Sequence, residues 1–414
     1  MLAELQEIDF PEVYARFVDL FPDKPWLKAT SQLQMQLRAN PLSAERIESA
    51  FMIAYGLSHF ERGGMSILGS EVWPSVQLAM GFAAQVCGLV SKALDERGRK
   101  AYLGRVSGAF ANPIDMRALR FEHLTAMTLH KRGAQIEWPD ESSGDETFDI
   151  LASTEGFLSF EVECKSCSAD KGRPITESEA SEFLYRMMRE LTSVLGPKEL
   201  MALKVRVPKR LPTSHKALDT LVAEVMAAIR DGQGSTESGA LLAFSRMMTP
   251  DDVADPQALT HLVSGLAARE WGDLEGPRAY FIGGSTPSGF CIEVCSGRKL
   301  QILDAMSKTA KHAVRTQMTG TRPGCLVLRL EGLNRDELTQ LAQEVPNPLA
   351  WFATHVLKDE RHEHLACLAF ISDEEATRLS ESTVTAQSSS YFFDSPVGRY
   401  PNLGIGRTFL SGTS

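Results

Sequence analysis

The sequence predicts an α/β protein in three parts: an all-helical N-terminal domain (residues 1–112), a central unit in which helices flank one mixed sheet (113–235), and a C-terminal α/β region (236–414). Three observations predict this fold class. Apolar residues recur every three or four positions through the first 110 residues, which is the helical period. From Pro113 onwards, short β-type runs alternate with helical segments. The same alternation continues through the C-terminal region.

The composition is that of an ordinary globular protein, with 43% hydrophobic and 23% charged residues in a chain of 414. That length suits two or three packed units. The formal net charge of −10 does not indicate a basic surface, so any contact with nucleic acid requires lysines and arginines gathered locally.

The sequence also predicts a soluble cytoplasmic protein with no membrane partner. The first residues lack the basic-then-apolar pattern of a signal peptide. The most apolar stretch, residues 76–90, is short for a membrane span and contains two glutamines, which suits a buried helix. Seven cysteines, an odd number scattered along the chain, do not form a disulfide framework.

The elements follow in order from these periodicities. Helices are predicted in the N-terminal domain over residues 10–21, 43–60 and 75–98. The central unit is predicted to contain a helix over 115–133, a strand over 134–139, a β-hairpin from 147–153 and 157–166, a helix over 175–195, a strand over 200–207 and a helix over 216–232.

The C-terminal region repeats the pattern and ends in a tail. Strands are predicted over 240–247, 278–284, 289–296, 324–332 and 364–372, and helices over 305–317, 334–344 and 347–357. The last thirty or so residues are rich in Ser, Gly and Pro with interspersed aromatics. They predict a tail that is ordered by docking rather than a further domain.

The most informative stretch is FEVECKS, residues 160–166. Because side chains alternate on a strand, Glu163 and Lys165 share one face while Cys164 points to the other. Asp149 begins the preceding strand of the hairpin, so its carboxylate approaches Glu163 across the pair. Two neighbouring carboxylates are stable as anions mainly with a cation between them, and Mg²⁺ prefers such a site. A lysine beside it can hold the attacking water or offset charge on the transition state.

The ordered set of a helix carboxylate (Glu122), a strand aspartate (Asp149) and Glu163-Cys164-Lys165 on the next strand resembles the PD-(D/E)xK nuclease superfamily. The spacing is closest to its Mrr-like and archaeal Holliday-junction-resolvase branches. The resemblance covers about residues 113–232. It implies a restriction-endonuclease-like core, with a central mixed sheet that has a helix on each side. An acid-x-lysine string alone is a weak signal, whereas the whole ordered set is more specific.

The resemblance implies that Asp149 and Glu163 are metal ligands, with Glu122 as an accessory ligand, and that Lys165 positions the water or stabilises the leaving charge. Mg²⁺ is the implied cofactor, with Mn²⁺ as a substitute. The alternative for Glu122 is a solvated acid on a helix surface. Asp140, in WPD, competes with Asp149 but opens a polar loop, which favours Asp149. Glu161 is interpreted as a solvated strand residue rather than a spare ligand.

The two cysteines of this stretch have a plainer interpretation than a metal clip or a redox site. Cys164 is expected to pack beneath a helix on the other face of the sheet. A zinc clip requires four ligands and no second Cys-x-x-Cys follows, while a thioredoxin-type pair belongs at the start of a helix.

A nuclease also requires a phosphate-binding surface. The candidates are basic residues after the Glu163 strand and on a later helix, with solvated surface as the alternative for each cluster: Lys171, Arg173, Lys308, Lys311 and Arg315, with Arg186 and Arg189 on the helix between.

The sequence thus favours a Mg²⁺-dependent DNA endonuclease that serves as a restriction or phage-defence effector, the biological context being analogy. The chain lacks a G-x-x-x-x-G-K-[ST] loop, so any ATPase or sensor would be a partner protein, and self-assembly into a homo-oligomer is compatible with the large flanking regions. Three alternatives stay open: an RNA- or junction-directed nuclease, a catalytically silent nuclease-like subunit that binds nucleic acid or a partner protein, and a coincidental Glu-Cys-Lys string in a structural protein.

Overall fold

The computed structural model describes residues 5–39, 44–92, 96–139, 147–154, 159–168, 170–250, 255–271, 279–285, 287–299, 301–331, 333–373, 375–378 and 384–409. The chain is a mixed α/β protein, as the sequence predicts. It divides into two compact units. The first comprises residues 1–36, 45–169 and 303–414, and the second comprises residues 37–44 and 170–302.

The first unit begins with a run of helices around an aromatic core. They are α1 (Phe10–Leu20), α2 (Pro25–Ala39), α3 (Ala44–Ala50), α4 (Met52–Gly63), α5 (Trp73–Lys92) and α6 (Glu96–Ala109). Phe17 and Trp26 are fully buried, with ring centroids 5.4 Å apart. Within α5, the segment Trp73–Ser91 is long and apolar enough to cross a membrane by length and composition. In the structure α5 packs against α1 and α4.

A six-stranded sheet forms the centre of the first unit. Its strands are β1 (Gln135–Glu137), β2 (Ile150–Ser153), β3 (Phe160–Cys167), β8 (Gly324–Leu330), β9 (Leu365–Ile371) and β12 (Ser390–Asp394), in that spatial order. The first three strands form an antiparallel meander. β8 then pairs in parallel with β3, and β9 in parallel with β8, while β12 returns antiparallel along the edge.

Helices cover both faces of this sheet. α7 (Pro113–Lys131) begins where the Asn112 side chain caps it, accepting a hydrogen bond from the Ile114 amide. Its apolar side packs on the sheet, with Phe121 and Leu129 in one cluster with Val162 and Cys164. α13 (Pro348–Leu357) lies on the other face, where Phe352 meets Phe370 edge-on at 5.8 Å. Strands buried on both faces explain the continuous apolar runs of β8 and β9.

The second unit has its own four-stranded sheet. Its elements are α8 (Glu177–Val194), β4 (Glu199–Val207), α9 (His215–Arg230), β5 (Leu241–Met248), α10 (Pro256–Trp271), β6 (Ala279–Ser285) and β7 (Ser288–Ser296). The strand order is β5-β4-β7-β6, with β4 and β7 parallel. α8 and α9 pack on one face and α10 on the other. α10 was not among the predicted helices, although Leu259, Val263 and Leu266 have helical spacing.

The second unit corrects the expected continuation of the central sheet. The sequence placed the helix over 175–195 and the strand over 200–207 beside the Glu163 strand, in a unit ending at residue 235. Instead, β4 pairs with β5 and β7 in the other sheet, and β3 pairs with β8. The segment between β3 and β8 thus contains residues 170–302 of the second unit, followed by α11 (Ile302–Thr316). β4 and β8 are both buried apolar strands, so sequence order alone cannot select β3's partner.

The boundary expected at residue 112 does not coincide with a break between compact units, because the N-terminal helices and the six-stranded sheet share the first unit. The tail docks as expected over residues 390–409. β12 adds a strand to the sheet, and α14 (Ile405–Phe409) buries Ile405 in the cluster beneath α7. The remaining elements are α12 (Arg335–Gln343) and the paired strands β10 (Glu375–Arg378) and β11 (Val384–Gln387).

Candidate catalytic site on strand β3

Glu163 lies at the middle of β3, with a paired strand on each side. Its own backbone position is paired with Leu326 of β8, and its side chain is fully buried. On the other side, Ile150 of β2 pairs with Val162. Continuing that antiparallel register by one residue sets Asp149 opposite Glu163, as the hairpin predicts.

Lys165 shares a strand face with Glu163, and its Nζ forms an ion pair with Glu163 Oε1. Burial, followed by the charge of Asp149, raises the pKa of Glu163 to about 8 despite the lysine. Burial works to lower the pKa of Lys165, but the charges of Glu163 and Asp149 outweigh it, so this pKa is raised. The lysine is therefore a cation at neutral pH, held beside a carboxyl group that binds its proton unusually tightly.

Asp149 links the strand to the neighbouring helices. Its Oδ2 accepts a hydrogen bond from the Cys164 amide at 2.7 Å, which holds the carboxylate against β3. Its Oδ1 lies 3.9 Å from Nη2 of Arg105. Among the charged neighbours, Asp149 has the largest effect on the pKa of both Glu122 and Glu163. Asp149 is therefore the electrostatic link between the two glutamates.

Glu122 lies on α7 and is only 3% exposed, which corrects the alternative of a solvated helix acid. Its Oε1 accepts a hydrogen bond from Nη2 of Arg105 at 2.6 Å. Burial, and then the charge of Asp149, raise its pKa well above the ordinary value, against the effects of Arg105 and Lys165. The structure thus brings the four predicted residues into one electrostatic group.

Arg105 is the site residue that sequence reasoning missed. It lies on α6, in the N-terminal region, where the sequence predicted no site residue, and it is the cation between Glu122 and Asp149. No local motif marks it, because one arginine among several on a basic helix is distinguished only by what α6 packs against.

An aromatic cluster fixes α6 on α7 beside this group. The Tyr102 hydroxyl forms a hydrogen bond with Nε2 of His123, and the two rings stack with centroids 5.5 Å apart. Phe82 stacks on His123 at the same centroid distance. Burial, together with Arg105 and Arg120, lowers the pKa of His123 to about 3, so the ring is neutral. This packing positions Arg105 and Glu122 as a rigid pair.

Asp149, Glu163 and Glu122 offer carboxyl oxygens, the donor type that a hard divalent cation prefers. The carboxyl group of Glu163 contacts Lys165 and the backbone of Asp149, whereas Oε2 of Glu122 has no hydrogen-bond partner among the described residues. Among the residues that the structure describes, no group of three or more His, Cys, Asp or Glu side chains has the arrangement of a metal site. Mg²⁺ commonly uses only one or two carboxylates, with water and substrate phosphate completing its shell, so Asp149 and Glu163 would hold it.

Glu161, predicted to be solvated, is instead fully buried. Its Oε2 accepts a hydrogen bond from the Thr319 amide at 2.8 Å, its Oε1 accepts one from the Thr319 hydroxyl, and Arg322 lies 3.8 Å away. The prediction failed because the loop before β8 covers this end of β3, which alternation cannot reveal. Glu161 anchors that loop and belongs to the fold rather than to the site.

The other predictions for this stretch are resolved as follows. Cys164 is buried with Phe121 and Ala126 of α7, as predicted, and burial raises its thiol pKa well above the ordinary value. Cys167 is also buried. Asp140, the competing aspartate, lies outside the described residues.

The structure separates the basic candidates. Lys308 and Lys311 lie on α11 in the first unit, with Lys308 exposed. Arg315, on the same helix, forms an ion pair with Asp359 at 3.0 Å, so part of its charge is already compensated. Lys171 and Arg173 belong to the second unit, in the turn before α8, and both are half-buried.

In comparisons with protein-family models, with curated proteins and with solved structures, no significant match to this chain was found.

Proposed function

We propose that this chain is a metal-dependent endonuclease that hydrolyses phosphodiester bonds, with its site at Asp149, Glu163 and Lys165. One observation carries the proposal. Asp149 lies opposite the buried side chain of Glu163, and Lys165, on the same strand face, contacts Glu163 Oε1 through its Nζ.

The connectivity of the first unit supports the resemblance to the PD-(D/E)xK nucleases. A helix (α7) precedes an antiparallel meander (β1 to β3), and a second helix (α11) leads to β8, which pairs in parallel with β3. Periodicity predicted the same order of helix, three strands, helix and strand for residues 115–207, but here the second unit is inserted before the second helix.

The residues would act as follows. Asp149 and Glu163 would hold a divalent cation, which when bound makes a coordinated water easier to deprotonate. Lys165, a cation with a raised pKa, would orient the attacking water and offset the charge that develops on the phosphate oxygens. Arg105 positions Glu122 and Asp149 by pairing with both. The proton on Glu163 must leave before the metal enters, because its pKa is raised.

We infer DNA as the substrate, a restriction or defence context, the cytoplasm as the location, and a partner ATPase or sensor only by analogy with the nuclease resemblance. The site itself addresses only the phosphate, so a nuclease acting on RNA or DNA junctions would use the same residues. A catalytically silent subunit is the second candidate. It is favoured by the contacts of Lys165 with Glu163 and of Arg105 with Glu122, which occupy one oxygen of each glutamate without a metal.

The test is cleavage of plasmid DNA and of RNA and DNA oligonucleotides by the purified chain in Mg²⁺ or Mn²⁺. We expect metal-dependent cutting that is absent in EDTA and in the Lys165→Ala variant. Lys100→Ala is the matched control, because Lys100 is an exposed lysine on α6. It should cut like the wild type.

Metal binding is measured separately, by titration of Mn²⁺ into the wild type and Glu163→Gln. Mn²⁺ binding that Glu163→Gln abolishes, without any cleavage, would support the silent subunit. Absence of both binding and cleavage would refute the metal site.

A further inference from the structure

The second unit contains a large groove that the proposed catalytic site does not use. α8 and α9 lie side by side on one face of its sheet, and a cavity of about 770 Å³ runs between them on the outer side. That volume is in the range of sites for small ligands. Every residue that lines it lies in the second unit.

The two helices run parallel along the groove. Glu182 of α8 meets His215 of α9 at 2.8 Å, and one turn further along both helices Arg186 meets Asp219. Each step of four residues along α8 thus matches a step of four residues along α9. The same offset places Arg189 at the level of Val222, and Arg230 lies eight residues further on, a rise of about 12 Å. The groove thus has a first half at Glu182 to Arg186 and a second half from Arg189 to Arg230.

The first half of the groove is neutralised. Nη2 of Arg186 donates to Glu182 at 2.7 Å, Nη1 donates to Asp219, and Nη2 also lies 2.9 Å from Nδ1 of His215. These contacts join the two helices through polar side chains. The charge of Arg186 is therefore balanced by the carboxylates of Glu182 and Asp219.

The second half is not neutralised in that way. Arg189 and Arg230 both line the cavity, and within the described residues neither guanidinium forms an ion pair with a carboxylate. Nε of Arg230 donates only to its own helix, at the Met226 carbonyl, 3.3 Å away. Glu190 also lines this half, so the local balance is two cations against one anion.

The floor of the second half is apolar. Val222 and Met226 are 5% and 6% exposed. Tyr185, one helical turn before Arg189 on α8, lines the adjoining end of the first half. The two arginines suit the phosphate of a ligand. The apolar floor and the neighbouring aromatic ring suit a planar base in the same ligand. Arginine is the preferred partner of phosphate because its planar fork donates two hydrogen bonds at once.

We propose that this groove binds the phosphate and base of a nucleotide, either free or as one unit of a nucleic-acid strand, with Arg189 and Arg230 on the phosphates and Val222, Met226 and Tyr185 against the base. This site is independent of the proposed nuclease site. A nucleotide bound here would be a second ligand of the chain.

The test is isothermal titration calorimetry on the full chain in EDTA, so that no metal-dependent binding at β3 contributes. The probes are AMP, ATP, inorganic pyrophosphate and a short single-stranded oligonucleotide. We expect at least one nucleotide probe to bind, and the Arg189→Ala/Arg230→Ala double variant to weaken that binding about tenfold or more, since each arginine loses charge-assisted hydrogen bonds.

Two further variants isolate the groove. Ala223→Glu adds a carboxylate to the exposed rim without removing an arginine, and should also weaken binding. Arg269→Ala removes an exposed arginine on α10, outside the groove, and should bind like the wild type. Binding of AMP or ATP indicates a free nucleotide, whereas binding of the oligonucleotide alone indicates a strand. The proposal is overturned if no nucleotide probe binds, or if the double variant binds as tightly as the wild type.

Discussion

At the scale of single residues, the contact between Arg105 and Glu122 has the clearest consequence. Glu122 is nearly inaccessible to solvent, and Arg105 is its hydrogen-bonding cation at 2.6 Å. Arg105→Ala leaves a buried carboxyl group without that partner, so we expect the free energy of unfolding to fall by about 1–3 kcal/mol. Urea denaturation followed by circular dichroism measures it.

Two companion variants separate this effect from a general effect of losing an arginine. Arg99→Ala removes an exposed arginine from the same helix and should leave stability nearly unchanged. Glu122→Gln in the Arg105→Ala background should recover part of the loss, because a neutral amide does not require a cation. Additive losses in the double variant would contradict the pairing.

The raised pKa of Glu163 predicts a pH dependence of stability. Its pKa rises from an ordinary value of 4.5 to about 8 in the folded protein, with burial as the main cause. Between these values the folded state binds a proton that the unfolded state has released. The metal-free protein should therefore lose stability as pH rises through this window. Melting temperatures in EDTA, from about pH 5 to pH 9, test this.

The Glu163→Gln variant supplies the comparison for the pH series. It carries no titrating group at position 163, so its melting temperature should fall less across the same window. Glu137→Gln, at an exposed position on β1, should follow the wild type. A wild-type profile that rises with pH would show that Glu163 is ionised in the folded protein, contrary to the burial argument.

At the scale of elements, two acids make different contacts along β3. Asp149 accepts a hydrogen bond from the Cys164 amide at the candidate site, whereas Glu161 binds the loop before β8 through Thr319. Glu161 is fully buried and accepts two hydrogen bonds from Thr319. Glu161→Ala would leave the Thr319 amide without its acceptor, so we expect the free energy of unfolding to fall by about 1–3 kcal/mol.

The same measurement on Glu137→Ala gives the reference for a solvated acid. Exposed substitutions usually change stability by less than about 0.5 kcal/mol. If chemical denaturation gave equal and small losses for Glu161→Ala and Glu137→Ala, the sequence interpretation of Glu161 as a solvated residue would be restored.

At the scale of the molecule, the second unit has the properties of an inserted domain. It contains its own sheet and its own apolar clusters on both faces. Its two ends meet, since the Gln301 amide donates to the Gly172 carbonyl at 3.0 Å. Gly172 has φ +76°, and a Cβ there would lie 2.5 Å from the Gln301 carbonyl oxygen, so glycine is required.

A fragment of residues 170–302 should therefore fold by itself, with mixed α/β circular dichroism and a cooperative thermal transition. The matched control is a fragment of residues 113–235, the boundaries that the sequence suggests. That fragment separates β3 from β8 and β4 from β5 and β7, so it should not melt cooperatively. The opposite result would favour the boundaries read from sequence.

Local periodicity by itself determined the kinds of element and the face on which each side chain lies. The alternation in residues 160–166 placed Glu163 and Lys165 together and Cys164 beneath α7, as the structure has them. The hairpin signal placed Asp149 beside Glu163, because antiparallel neighbours in sequence pair in space. The relations of Glu163 with Lys165 and with Asp149 join residues that lie close together in the chain.

Only the tertiary structure decided the relations between distant segments. Three relations depend on residues far apart in the chain. They are the pairing of β3 with β8, the position of Arg105 of α6 between Glu122 and Asp149, and the hydrogen bonds from Thr319 to Glu161. β4 and β8 each carry a run of buried apolar residues, so hydrophobic character alone does not assign either strand to a sheet. The choice between them comes from side-chain packing across whole faces, which no local pattern encodes.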